Sequence, residues 1–275
     1  MRRQRREAKL ALPQEMSRAM PARAAPKPAA PKPAAPKRPA LKPGAPKATA
    51  APAILVSQTV LNRLLADILD GRYEPGARLR FAELQAAYEV GIGTLREALS
   101  HLASVGMVEV DANRGFRVAP VSEADLHDVS SLLIEFEQRA ILSSVAHGDR
   151  AWEDAVVLTF HRLSAIESRP RAERAARFHE WVALHRAFHH ALVSACDSRW
   201  LLHMRALLYD HMERYRLLSQ RHRPQGPGRL SEHEAIKEAA LARRGEEAAE
   251  LLRRQLQWTV DNVRRYAPQF IRPPG

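Results

Sequence analysis

The chain has 275 residues, a formal net charge of +12 and one cysteine, Cys196. A single cysteine excludes an intramolecular disulfide or a thiolate metal cluster, and it fits a reducing compartment such as the cytoplasm. No stretch approaches the 18 consecutive apolar residues of a membrane-spanning helix, so we expect no membrane association. The basic N-terminus lacks an apolar segment and is not interpreted as a secretory signal. An Arg-rich organellar presequence is the alternative left open.

Most of the positive charge lies in residues 1–53. This segment holds 13 Lys and Arg residues against two Glu, so the other 222 residues carry only about one net positive charge. From Met20 to Pro52 the sequence repeats Pro, Ala and Lys, which predicts a disordered basic tail because Pro removes backbone donors and fixes φ. Such a tail suits salt-dependent contact with phosphates, and a solvated spacer without a partner is equally compatible.

Residues 54–120 predict three short helices followed by a β-hairpin. Apolar residues recur at helical spacing from Ser57 to Leu69, a short helix is predicted over Phe81–Tyr88, and a longer one over about Gly93–Val105. The stretch MVEVDANRGFRVAP then alternates apolar and polar residues on both sides of a polar turn, as in a hairpin. This order of elements is that of a winged helix-turn-helix, a DNA-binding fold.

Residues 121–267 show helical periodicity and no further strand pattern. Ser122 and Asp125 predict an N-cap for a helix that reaches about Ala146. Further helices are predicted near 151–167, 173–195, 198–220, 231–244 and 246–266. The predicted fold class is therefore mainly α, with an N-terminal winged helix-turn-helix followed by an all-helical bundle of about six helices.

The helix that begins near Gly93 is the candidate recognition helix. Its leucines form an apolar stripe that would anchor it, which leaves its polar side chains facing outward. Arg96 carries a fork of donors that suits a guanine edge or a phosphate, and a basic residue at the hairpin tip suits a minor groove. The alternative is that these are ordinary surface charges. The predicted DNA contacts are Thr94, Arg96, Ser100, Arg114 and Gly115.

Three stretches carry a family resemblance: ILDGRYEPGARLR, VGIGTLREALSHLASVGMV and NRGFRV. They resemble the DNA-binding domain of GntR-type transcription regulators, and the helical remainder resembles the ligand-binding FCD domain of the FadR subfamily. Within that subfamily the chain is similar to the CsiR-like regulators, which share a Gly-rich turn before LREALS. The resemblance covers about residues 55–265. It implies a homodimeric regulator that binds a short inverted repeat in double-stranded DNA and responds to a small-molecule effector, such as an organic acid.

The chain departs from the family pattern just before the LREAL stretch. The family often has Val-Ser-Arg-Thr-Pro there, whereas this chain has Gly91 in place of the capping serine and Ile92 in place of a DNA-facing arginine. We therefore expect DNA contact to be retained but the operator to differ from the common subfamily sequence. The Lys-rich tail would partly replace the missing electrostatic attraction.

His185 and His189 lie four residues apart on one predicted helix, so their rings share a face. Because the chain has 12 histidines, this spacing alone fits either a metal site or ordinary polar histidines. The resemblance implies more, since many FCD domains bind a divalent metal through an Asp, a His four residues later and two further His. His185 stands at the Asp position, His189 and His233 match, and Gln255 replaces the fourth ligand. Three histidines suit zinc or nickel, and the alternative is a metal-free pocket that hydrogen-bonds an organic anion.

The resemblance also places Glu137 and Gln255 in the effector pocket. The family often has an Arg four residues before this Glu, aimed at a ligand carboxylate, and Leu133 stands there instead. The effector would then be less acidic, or another cation would hold it. The cations considered are Arg186, Arg205 and Arg214.

The favoured function is a ligand-responsive transcription regulator, and specifically a repressor. Two alternatives belong to other classes. One is a helical metal-dependent hydrolase that uses the three histidines with Glu234 as general base. The other is a nucleoid-type protein that coats DNA through its basic tail. The winged-helix pattern favours the regulator over both.

Overall fold

The computed structural model describes residues 50–111, 115–223 and 229–271, with side chains from Val56 onward. These residues all belong to one compact unit that begins at Ala48. The greater part of the predicted basic tail, and Arg114 at the predicted wing tip, lie outside the described residues. None of the helices in the described ranges combines the length and the apolar character that a membrane crossing requires.

The first half of the described chain is a winged helix-turn-helix. Its elements are α1 (Ala50–Leu69), β1 (Arg78–Leu79), α2 (Phe81–Tyr88), α3 (Ile92–Ser104), β2 (Val108–Asp111) and β3 (Gly115–Val118). The predicted hairpin forms as β2 and β3, which pair antiparallel with Val108 opposite Val118. Strand β1 adds to the other edge of β3 and was not predicted, because two residues are too few to show alternation.

Leucines at helical spacing form much of the core of this part. Helix α3 buries residues at i, i+3, i+4 and i+7, so its opposite face is turned away from the core. Helix α2 has the predicted bounds, and α3 begins and ends one residue earlier than predicted. Within the winged helix-turn-helix, the leucines with at most 1% exposure are Leu64, Leu84, Leu95, Leu99 and Leu102.

The second half is a bundle of seven α-helices in the described ranges. They are α4 (Glu123–His147), α5 (Arg150–Glu167), α6 (Arg171–Ala176), α7 (Phe178–Val193), α8 (Arg199–His222), α9 (Leu230–Leu241) and α10 (Gly245–Tyr266), followed by a 3₁₀ turn at Pro268–Phe270. The predicted cap of α4 is confirmed, since Ser122 Oγ accepts a hydrogen bond from the Asp125 amide at 3.0 Å.

The prediction of one helix in this bundle is wrong. The single helix expected over 173–195 is two helices, α6 and α7, separated at Arg177. Helix α6 has no buried residue, so no core contact aligns it with α7. The bundle therefore has one helix more than predicted, and the extra short helix covers one side of an internal cavity.

Candidate functional site

The helical part contains a cavity of about 380 Å³, to which every helix from α4 to α10 contributes. Helix α7 turns His185 and His189 into it, and α9 contributes His233. All three histidines are buried, with exposures of 8%, 5% and 0%. The i, i+4 spacing on α7 explains the first two, whereas only the packing of α9 against the bundle brings in the third.

The three histidines form a compact cluster of nitrogen donors. One potential ligand atom from each lies within 4.8 Å of the others. The Nε2 atoms of His189 and His233 are buried and, among the described residues, have no hydrogen-bond partner. Buried polar atoms are rarely left unsatisfied unless a ligand completes them. Imidazole nitrogens in this arrangement fit a borderline divalent metal such as zinc or nickel.

Burial controls the protonation of these rings. It lowers the pKa of His185 and of His189 well below the ordinary value of 6.5, and the neighbouring imidazoles add to the effect. Both rings are therefore neutral near pH 7. Neutral imidazole is the form that coordinates a metal, so these two rings do not have to lose protons at that pH before binding one.

A layer of polar groups lies behind the cluster. Glu167 Oε2 is 2.9 Å from His233 Nδ1, and Glu167 Oε1 accepts a hydrogen bond from Trp181 Nε1 at 3.0 Å. Tyr209 Oη lies 3.2 Å from His185 Nδ1. Sequence reasoning missed these partners of the histidines. They lie on α5, α7 and α8, and no spacing in the sequence signals that Glu167 meets a histidine 66 positions away.

The two residues predicted for the effector pocket both line this cavity. Gln255 is 7% exposed and lies on α10. Glu137 lies on α4, but its Oε1 already accepts hydrogen bonds from Arg205 Nε and Nη2 at 2.9 and 2.6 Å. Glu137 Oε2 is buried without a partner in the described part of the chain.

The three arginines considered from the sequence lie elsewhere. Arg205 is paired with Glu137, Arg186 pairs with Asp210, and Arg214 donates to the carbonyl of Ala119. None of the three lines the cavity.

Other arginines do line the cavity. Arg216 pairs with Glu213 and lies 4.8 Å above the Trp181 ring, and its Nη1 is buried without a partner among the described groups. Arg229 lies 3.6 Å above the Trp258 ring. Burial, followed by the charge of Arg223, lowers the pKa of Arg229 to about 10. The cavity therefore combines a cluster of imidazoles with guanidinium groups that favour an anion.

The outer face of α3 carries three of the five predicted DNA contacts. Arg96 and Ser100 are exposed and Thr94 is half-buried, while Arg96 lies 5.8 Å from the Phe81 ring. Gly115 begins β3 with φ of 91°, and the space where a side chain would stand is open. The N-cap of α3 is Gly91, which offers no side-chain cap, and Ile92 is 47% exposed.

Comparison with known proteins agrees with this architecture. The family profile "Bacterial regulatory proteins, gntR family" matches residues 56–118, and the "FCD domain" profile matches residues 126–257. The HTH-type transcriptional regulator BphR of Paraburkholderia xenovorans is 40% identical over 209 residues, which cover 76% of this chain and 85% of BphR. The HTH-type transcriptional repressor GlaR of Escherichia coli is 36% identical over 194 residues, which cover 69% of this chain and 87% of GlaR.

Solved structures show the same fold at lower identity. McbR/YncC of E. coli superposes with a TM-score of 0.65 at 20% identity, covering 76% of this chain and 97% of that protein. A GntR-type regulator from Rhodococcus sp. RHA1 superposes with a TM-score of 0.61 at 23% identity, covering 75% and 96%. The matching families and relatives are transcription regulators and not enzymes, which removes the hydrolase alternative. The chain belongs to the GntR family of DNA-binding bacterial transcription regulators and carries an FCD domain, the type of domain that binds small-molecule effectors.

Proposed function

We propose that this protein is a ligand-responsive repressor that binds a short inverted-repeat operator as a homodimer in the cytoplasm. Residues 54–120 would bind DNA, residues 121–267 would bind the effector and dimerise, and residues 1–53 would add electrostatic attraction. The buried histidine cluster in a large cavity behind a winged helix is the observation that carries this proposal. The repressor role is supported by the relative GlaR, which is named a repressor.

Thr94, Arg96, Ser100, Arg114 and Gly115 are the proposed DNA contacts. Arg96 is the sharpest test, because a bidentate contact to a base is worth about 1–3 kcal/mol of discrimination. Preferred duplexes would first be selected from a random pool with the full-length chain. Arg96→Ala should then bind the selected duplex at least about tenfold more weakly, whereas Arg150→Ala on the exposed start of α5 should not. Equal affinities for the selected duplex in wild type and Arg96→Ala would refute the assignment.

His185, His189 and His233 are the proposed ligands of a zinc or nickel ion, with Gln255 beside them. A divalent cation bound there would supply a Lewis-acidic centre that an anionic effector can coordinate. Elemental analysis of the purified full-length protein should find about one metal ion per chain and much less in His233→Gln. His161→Gln, at an exposed position of α5, is the control. Equal metal content in wild type and His233→Gln would contradict the proposed site.

The effector is proposed to be an organic acid. The support is electrostatic, because Arg216 and Arg229 face the cavity with donor atoms that lack partners in the described part of the chain. Carboxylic acids would be screened by the rise in unfolding temperature that a bound ligand produces. An acid that stabilises the wild type should have little effect on Arg216→Gln and a full effect on Arg150→Gln. An acid that stabilises the wild type and both variants equally would bind outside the part of the cavity that Arg216 lines.

The homodimer is supported by two apolar side chains at the surface of the bundle. Trp200 and Met204 lie one turn apart on α8 and are 64% and 41% exposed. Large exposed apolar groups are unfavourable in water and are common at subunit interfaces. Sedimentation velocity of the full-length chain should show a dimer, and Trp200→Ser should weaken it. A monomer at all concentrations would contradict the proposal.

A further inference from the structure

The carboxylate of Glu167 touches the histidine cluster from behind. We infer that Glu167 is a positioning residue for the metal site, which holds His233 in the one tautomer that can coordinate. This inference rests on the metal site proposed above and assigns a role to a residue on a different helix, α5. Three features of Glu167 support it: the hydrogen bond to His233, the groups that fix the carboxylate, and its position in α5.

The hydrogen bond decides the tautomer. A carboxylate oxygen accepts, so the 2.9 Å contact between Glu167 Oε2 and His233 Nδ1 is a hydrogen bond in which the ring donates from Nδ1. The lone pair of His233 is then on Nε2, the buried atom for which the described residues offer no partner. A neutral imidazole with Nδ1–H held by a carboxylate is the state that coordinates a metal through Nε2.

The carboxylate is itself fixed in place. Glu167 is 4% exposed, and Trp181 Nε1 donates to its second oxygen at 3.0 Å. Glu167 Oε2 contacts His233 at Nδ1, whereas the unpartnered Nε2 is the other nitrogen of the same ring. Glu167 therefore supports a ligand and is not one itself.

The position of Glu167 is unfavourable for fold stability alone. It is the last residue of α5, where the helix dipole disfavours a negative charge, and little water reaches its side chain to solvate that charge. A carboxylate placed there needs compensation, which a dication bound to His233 would supply along with the two hydrogen bonds.

The test is the affinity of the full-length protein for Zn²⁺, measured by competition with a chromophoric chelator near neutral pH. Glu167→Gln keeps the shape but allows the other tautomer of His233, and we expect it to weaken Zn²⁺ binding by about 10–100-fold. Glu153→Gln is the matched control, because it removes a partly buried ion-paired carboxylate on the same helix, with Arg243, away from the cavity. Zn²⁺ affinity in this control should be unchanged.

A purely structural role for Glu167 predicts a different result. Urea unfolding of the metal-free variant would then show lower stability, while the folded protein would bind Zn²⁺ as tightly as wild type. That result would overturn the inference and leave the proposed metal site standing. Failure of the wild-type protein itself to bind Zn²⁺ would instead remove the metal site, and the inference with it.

Two further measurements do not depend on Glu167→Gln folding. The imidazole ¹⁵N chemical shifts of metal-free wild type should show His233 protonated at Nδ1, with its signals identified by their loss in His233→Gln. Protonation at Nε2 would overturn the inference. Trp181→Phe removes one of the two bonds to the carboxylate, and we expect a smaller loss of Zn²⁺ affinity than in Glu167→Gln. If Trp181→Phe bound Zn²⁺ as tightly as wild type, the Glu167 carboxylate would not need the Trp181 hydrogen bond to position His233.

Discussion

At the scale of single residues, the buried ion pair of Glu137 and Arg205 ties a residue of the cavity wall to a second helix. Their side chains are 2% and 6% exposed, and the guanidinium also donates to the backbone carbonyl of His189. The pair therefore links α4 and α8 to the backbone of the helix that carries two histidines. A buried ion pair stabilises a fold little more than two apolar side chains would. A single buried charge without its partner, in contrast, strongly lowers the free energy of unfolding.

Arg205→Met should therefore lower the free energy of unfolding by about 3–5 kcal/mol, because it leaves the Glu137 carboxylate buried without a counter-charge. The exposed pair of Arg150 and Asp154 on α5 is the control. Arg150→Met should cost less than about 1 kcal/mol. Urea unfolding measures both, and similar losses would contradict this view of the buried pair.

The buried imidazoles predict how the stability of the metal-free protein depends on pH. Their pKa values are lowered in the folded state, mainly by burial, whereas unfolded histidines titrate near 6.5. Below that pH the unfolded chain binds more protons than the folded one. The contribution of these two rings to the free energy of unfolding is therefore fully present above about pH 6.5. It is lost as the pH falls towards the lowered pKa values.

Urea unfolding of chelator-treated protein across this pH range would measure the effect. The double variant His185→Gln, His189→Gln should show a flatter loss of stability below pH 6.5 than wild type. Parallel curves for the two proteins would mean that these rings do not control the acid sensitivity.

At the scale of elements, α8 contacts both the cavity and the DNA-binding part. Arg216 lines the cavity, whereas His211 Nε2 lies 2.8 Å from the carbonyl of Val105, the C-cap of α3. Arg214 Nη2 donates at 2.5 Å to the carbonyl of Ala119, directly after β3. One helix therefore holds the ends of both DNA-facing elements, so a displacement of α8 by the effector would reach them directly.

The contact between α8 and α3 depends on Gly106. Its φ is 74°, and a side-chain carbon there would lie 3.2 Å from the His211 ring. Gly106→Ala should lower the free energy of unfolding by about 1–2 kcal/mol for the backbone alone. Gly93→Ala is the matched control, because Gly93 lies inside α3 facing open space, and alanine there should stabilise by about 1 kcal/mol. If both variants raised or both lowered the free energy of unfolding, the two glycines would not differ in the way proposed.

At the scale of the whole molecule, most of the positive charge and the predicted sequence-reading contacts lie in different parts of the chain. The first 53 residues carry 13 Lys and Arg residues against two Glu, whereas the predicted DNA contacts lie on α3 and the wing. Counterion release would make binding of DNA by this segment independent of sequence and strongly dependent on salt. Contacts of α3 with base edges would instead distinguish one duplex from another.

Deleting residues 1–47 should therefore weaken binding to every duplex and flatten its dependence on salt concentration. The deletion ends before α1, which begins at Ala50, so the compact unit stays intact. Fluorescence anisotropy with a selected and a scrambled duplex, over a series of salt concentrations, measures both effects. An unchanged salt slope would assign the tail a spacer role. Loss of affinity for the selected duplex alone would assign it a role in specificity.

Local patterns in the sequence determined the elements whose signals are short-ranged. The leucine stripe of α3, the alternation of β2 and β3 and the Ser122 cap each depend on residues within one or two turns or one hairpin, and all three were predicted. The division of the chain into a winged helix and a helical bundle followed from them. The i, i+4 pair of His185 and His189 was visible for the same reason, because helix geometry places the two rings on one face.

Tertiary packing alone decided the rest. Strand β1 exists because β3 offers it an edge, and α6 separates from α7 because no core contact holds the two in line. Which groups reach the histidines depends on the angles and offsets between helices, and these follow from side-chain packing across the whole bundle. The sequence therefore placed two histidines on one helix face, whereas only the folded chain brought Glu167 behind His233 and turned Arg216 towards the cavity.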